Sequence, residues 1–201
     1  MDAVNPSEEA VFLSASVPDP LRHPKYITTV DVMAIREAVR ALVAVVTPNR
    51  KLVFGGHPAI SPFVLLAADE LGKRDQVVIF VSEHFRNVVP QDNLVFPNLV
   101  WTPAVSGGRD ASLRLMREEM LGGFTMTAGV FLGGMEGVEA EHELFEQLCP
   151  LAPSYPVAST GAAARLLFDA HRGVSDPAVR VALENEYTFF ALFGRLPGIK
   201  S

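Results

Sequence analysis

A single cysteine, Cys149, excludes an intrachain disulfide and a cysteine-rich metal site from this 201-residue chain. No apolar run approaches the roughly 20 residues that a membrane-spanning helix requires. The amino terminus, with Asp2, Glu8 and Glu9, lacks the basic start and apolar core of a secretory signal. The expected setting is therefore the cytoplasm, without membrane attachment. Basic residues are too few and too scattered for a nucleic-acid groove: 17 Lys and Arg face 23 Asp and Glu, a net charge of -6. A local basic pocket for a phosphate stays compatible with that balance. No metal and no cofactor is expected.

What is present suits one well-packed domain over residues 1–201, with 49% apolar and 20% charged residues. Apolar runs alternate with helical patterns. Ala10–Ser16 reads as a first strand, Lys51–Gly56 as a second and Gln76–Ser82 as a third, continuous enough to be covered on both faces. Asn98–Thr102 reads as an edge strand and Ala128–Leu132 as a central one, with a further crossing at Tyr155–Gly161. Between them, helices are expected from Thr28 or Thr29 to about Val46, Phe63–Leu71, Ala111–Leu121 and Val138–Leu148. Ala162–His171 follows, with Ser159 or Thr160 as its cap, and one last helix is expected from Pro177 to Phe193. Residues 83–97 read as irregular. The alternation calls for an α/β fold: a Rossmann-like doubly wound parallel sheet with helices on both faces.

In such sheets ligands collect at the carboxyl ends of strands, where strand order reverses. Ser14, Ser16, Gly55, Gly56, Gly133, Gly134 and Ser159 all fall at expected strand ends. Two of those crossings carry a glycine pair, which admits a close backbone approach and leads to a helix start with free N–H groups. The first, Gly55-Gly56, is followed by His57, a candidate for ligand binding or acid–base chemistry. The second runs Gly133-Gly134-Met135-Glu136-Gly137 and leads toward Glu141. On the preceding helix Arg114 and Arg117 lie three apart and share a face. A loop with Arg22, His23 and Lys25 is a further source of positive charge, or a solvated loop. The plain alternative for the glycine pairs is chain geometry alone.

The run Arg114-Leu115-Met116-Arg117-Glu118-Glu119-Met120, followed by Ala128 to Glu141, resembles the signature of the SLOG superfamily. That superfamily includes the Lonely Guy phosphoribohydrolases, the DNA-processing protein A group and nucleotide-sensor domains of prokaryotic immune systems. The Lonely Guy pattern is a helix with methionine, arginine and lysine, then Pro-Gly-Gly-x-Gly-Thr-x-x-Glu. Here Leu132 replaces the proline, Met135 and Glu136 stand for a single x, and Val138 replaces the threonine. With Gly137 as the third glycine, Glu141 matches the glutamate, and the family arginine falls on Arg117 or Arg114.

The Gly-Gly-Met-Glu-Gly form is more similar to the sensor branch, including the SLOG domain of Thoeris defence effectors. The resemblance implies a domain that binds an ADP-ribose or cyclic ADP-ribose type signal, works as a homo-oligomer and controls a fused or separate effector. The alternative it implies is a nucleoside 5′-monophosphate phosphoribohydrolase, with Glu141 and Arg117 as the catalytic pair.

Overall fold

The computed structural model describes residues 4–21, 23–170, 174 and 176–200. Strand β1 (Glu9–Ser16) sends Ala10 and Phe12 to one face and Val11 and Leu13 to the other, all four buried. This is the period-two geometry of a strand, and apolar residues on both faces require cover on both. β2 (Lys51–Phe54) and β3 (Val77–Ser82) repeat it: Leu52, Phe54, Ile79 and Val81 face one way, and Val53, Val78 and Phe80 the other. β4 (Asn98–Thr102), β5 (Thr125–Gly133) and β6 (Ser154–Pro156) complete a sheet in the order β4-β3-β2-β1-β5-β6. Every neighbouring pair is parallel. The doubly wound sheet expected from the sequence is the observed fold, and strand order reverses between β1 and β5.

On one face lie α1 (Val32–Val46) and α2 (Ser61–Glu70). The short α3 (Gln91–Leu94) sits in the β3–β4 connection, behind a 3-10 segment, Glu83–Val88. The opposite face is covered by α4 (Gly108–Gly122) and α5 (Glu136–Leu148). There Phe12, Phe131 and Phe145 meet with ring centroids 5.8 to 5.9 Å apart. Each such buried ring contributes about 1.5–3 kcal/mol. α6 (Ala162–Ala170) touches both cores at the β6 edge: Phe168 joins one and Ala162 and Ala163 the other. No helix among the described residues is long and apolar enough to cross a membrane.

At three places an expected helix end gives way to a specific polar partner. α1 starts behind Asp31, whose carboxylate accepts the Ala34 N–H at 2.9 Å; Thr29 instead accepts the Ala162 N–H at 2.9 Å and so caps α6. Ser159 and Thr160 are not that cap. The Ser159 hydroxyl donates to the Glu186 carbonyl at 2.9 Å, and Thr160 Oγ1 accepts the Gly133 N–H at 2.8 Å. The expected last helix is two, α7 (Pro177–Asn185) and α8 (Phe189–Phe193). Between them Glu186 is extended, its carbonyl held by Ser159 and its carboxylate by Arg195. His171 lies outside the described residues.

The β5–α5 turn is built on Gly133 and Gly134, with φ of +54° and +87°. That region favours glycine, and space forbids a side chain as well. A Cβ at Gly133 would stand 2.8 Å from Ile35 Cγ1 and 3.0 Å from the Ser16 carbonyl oxygen; one at Gly134 would stand 2.7 Å from Val138 Cβ. Gly133→Ala should therefore destabilise the protein by ~1–3 kcal/mol through overpacking alone. Gly137→Ala, whose nearest neighbour would be Arg117 Nη2 at an ordinary 3.6 Å, should stay within about 0.5 kcal/mol. Urea unfolding midpoints of the two variants check the contrast.

Candidate functional site

A cavity of about 540 Å³ opens at the carboxyl ends of β1, β2 and β3, roofed by the amino-terminal parts of α4 and α5. The volume is that of a small-molecule site. β1 contributes Ser16, and the chain after β2 contributes Gly55, Gly56 and His57. The β3–β4 connection adds Phe85, Val88, Val89, Pro90 and Asn93. Arg109 and Arg117 come from α4, and Met135, Glu136, Gly137 and Glu141 from the start of α5.

The polar end of the cavity is organised by Glu141. Its Oε2 accepts the Ser14 hydroxyl at 2.6 Å and its Oε1 accepts Arg117 Nε–H at 3.0 Å. Both partners of the ion pair keep 16% of their side-chain surface exposed. That burial gives the pair more weight than a surface pair, which is worth about 0–1 kcal/mol. Arg114, three residues earlier, points away: 72% of its side chain is exposed and its Nε donates to Glu118 at 2.8 Å. One turn of α4 thus resolves the two candidate arginines, with Arg117 in the cavity wall and Arg114 outside it.

Ser14 is buried and reaches the cavity only through Glu141. Gly133 and Gly134 are also outside the wall, contrary to the expectation that they bring donors to a ligand. The Gly133 N–H is spent on Thr160, the Gly134 N–H on the Ser16 carbonyl at 2.8 Å, and the Gly134 carbonyl accepts Ala163 N–H at 3.2 Å. The glycines set the turn, and the donors lie just beyond it. Met135 precedes α5 without a side-chain cap, and the N–H groups of Glu136 and Gly137 meet no acceptor among the described residues. These first N–H groups and the helix dipole favour an anion there.

Of the other sequence candidates, Ser159 serves Glu186 and stands apart from the wall. Lys25 pairs with Glu139 at 3.2 Å and lies 4.5 Å over the Tyr26 ring; the Tyr26 hydroxyl donates to Glu139 at 2.7 Å. This pins the loop after β1 to α5 outside the cavity. His23 accepts the Lys25 N–H, and Arg22 lies outside the described residues. Cys149 ends α5, where burial pushes its thiol up to about 11, so it carries no thiolate at neutral pH.

Several wall residues carry no local signal in the sequence. Met116 belongs to a helical apolar stripe that reads as core, and Arg109 follows Gly107-Gly108 at a helix start. Phe85, Val88, Val89 and Asn93 lie in the segment without periodicity.

His57 does line the cavity. Its Nδ1 accepts the Ala59 N–H at 3.2 Å, which leaves the neutral ring's proton on Nε2. Its carbonyl accepts the Ile60 and Ser61 N–H groups, both at 2.9 Å, at the start of α2. Burial lowers its pKa below the ordinary 6.5, so the ring is a neutral donor at pH 7. A folded pKa below the unfolded one means that the unfolded chain binds the proton first on acidification. The contribution of His57 is thus fully present above about pH 6.5 and falls as pH drops from there toward the folded pKa. Replacing it by Gln should flatten that part of the stability–pH curve, as followed by urea midpoints between pH 5 and 8.

Comparison with protein-family models matches the SLOG cluster3 family over residues 25–196. Comparison with curated proteins gives no match.

Proposed function

Because the chain belongs to the SLOG cluster3 family, we propose that it senses a nucleotide-derived signal held in the cavity beneath α4 and α5. The ligand is of ADP-ribose or cyclic ADP-ribose type, and its occupancy regulates an effector, fused or separate, in prokaryotic antiviral defence. The domain acts as a homo-oligomer.

The observation that carries this reading is the engagement of Glu141 on both oxygens. A general base needs an oxygen aimed at water or at the reacting atom. Here one oxygen holds the Ser14 hydroxyl and the other the Arg117 guanidinium. The carboxylate orients Arg117, whose remaining N–H groups pair with phosphate by charge-assisted bonds. The open N–H groups of Glu136 and Gly137 add donors at the same end. Glu136, at the same end of the cavity wall, supplies acceptors for ribose hydroxyls. The apolar half of the wall, with Phe85, Val88 and Val89, suits a base.

The second reading, the phosphoribohydrolase, draws on the same Arg117–Glu141 pair at a cavity wall. Incubation with AMP, ADP-ribose and cyclic ADP-ribose, followed by thermal shift and by base release, separates the two. A shift without released base is the expected result; base release at catalytic turnover would overturn the sensor. Arg117→Ala should weaken ADP-ribose binding roughly 10- to 100-fold by loss of a charged hydrogen bond. Arg114→Ala should leave it within about 2-fold, since exposed pairs contribute little. Calorimetric titration of both variants checks the direction.

A further inference from the structure

Sheet order lays out the cavity wall from one end to the other. From the start of α5 it passes Ser16 on β1, then His57 after β2, then Phe85, Val88 and Val89 after β3. Neighbouring strands lie about 4.8 Å apart, so the β2 exit stands two spacings, about 10 Å, from the β5 exit that leads into α5. His57 thus falls between the phosphate end and the apolar surface that suits a base.

The backbone at this point is held on both sides. The Gly56 carbonyl accepts Asn93 Nδ2–H at 2.9 Å, and the His57 carbonyl accepts the Ile60 and Ser61 N–H groups. A Cβ at Gly56 would stand 2.6 Å from that Nδ2, so the bare backbone there serves to admit the amide. The ring is fixed as well, since Nδ1 accepts the Ala59 N–H at 3.2 Å. That bond turns one edge of the half-buried imidazole to the start of α2 and the opposite edge, with Nε2–H, to the cavity that His57 lines. Nε2 meets no acceptor among the described residues, and it is not one of the unpaired atoms sealed from solvent. It is a donor set in place before a ligand arrives, which spares the cost of ordering it on binding.

Two properties of this donor narrow what it can read. The ring is neutral at pH 7, so phosphate is drawn to the charged Arg117 instead. Its open edge can only donate. Adenine presents ring nitrogens as acceptors and its exocyclic amine as a donor. The open edge of His57 therefore matches a ring nitrogen and not the amine. We propose that His57 is the base-reading residue of this site, its Nε2–H donating to a ring nitrogen of an adenine-type heterocycle seated against Phe85, Val88 and Val89. This rests on the nucleotide reading above, with Arg117 and the start of α5 holding the phosphate end.

The test compares ADP-ribose with three analogues in which N1, N3 or N7 of the adenine is replaced by C–H, by calorimetric titration of the full chain and of His57→Asn. The asparagine carbonyl can still accept the Ala59 N–H, while its shorter side chain places nothing where Nε2 stood. In the unmodified protein one of the three analogues should bind roughly 10-fold more weakly than ADP-ribose, the loss of one hydrogen bond from a donor left unpaired. In His57→Asn that ratio should fall to about 1, a change that loss of a merely structural contact, weakening all four compounds alike, does not produce. His57→Ala gives the same comparison if His57→Asn does not fold. Equal binding of all four compounds to the unmodified protein overturns the proposal while leaving the nucleotide reading intact. A ratio that persists in the variant also overturns it, since another group then reads that nitrogen. Binding of none of the four overturns the nucleotide reading and this proposal together.

Discussion

Glu141 on α5 takes the Ser14 hydroxyl from β1 on one side and the Arg117 guanidinium from α4 on the other. Ser14 and Glu141 are 127 positions apart in sequence, and Arg117 stands 24 positions before Glu141. The three meet because β1 and β5 pair in parallel over nearly their whole lengths, from Glu9 beside Thr125 to Ser16 beside Gly133. Everything at the polar end of the cavity inherits its position from that pairing. The partial burial of the ion pair makes each partner necessary to the other: removing one leaves an uncompensated charge near the protein interior.

The turn between β5 and α5 shows how geometry and binding divide between adjacent residues. Gly133 and Gly134 satisfy their own backbone groups against Thr160, Ser16 and Ala163, and thereby hold the end of the strand still. Gly137, in the helix, borders Arg117 Nη2 with ordinary clearance. A glycine pair that looks like a phosphate cradle is a hinge pin, and the exposed donors begin with the helix itself. The Gly55-Gly56 pair works differently again, since Gly56 makes room for an amide from another segment.

The architecture was legible in the sequence because its strands are apolar on both faces and separated by helical stripes such as Ile35, Ala38, Val39 and Leu42. Arg114 and Arg117 could not be separated by spacing alone, since three residues leave both on one side of a helix. The packing of α4 against α5 and the Glu118 partner decide between them. Asn93 was out of reach for a different reason. Its contact with Gly56 spans 37 positions and lies in a segment without hydrophobic period, so nothing local marks it. The split between α7 and α8 likewise depends on Ser159 and Arg195 drawing Glu186 out of the helix, and such tertiary partners override helical propensity.

The sheet order also governs when the cavity can exist during synthesis. β1, β2, β3 and β4 form one side of the sheet from the first half of the chain, each pairing with the strand before it in sequence. β1, the central strand, then waits for β5 on its other edge, and such long-range pairing forms late because loop closure must be met first. A growing chain of 102 residues holds His57 and Asn93, yet neither Arg117 nor Glu141. The half of the pocket with His57 and Asn93 is thus translated well before the half with Arg117 and Glu141. A chain interrupted between them exposes one open edge of β1 and half a pocket, and only the arrival of β5 both covers that edge and completes the site.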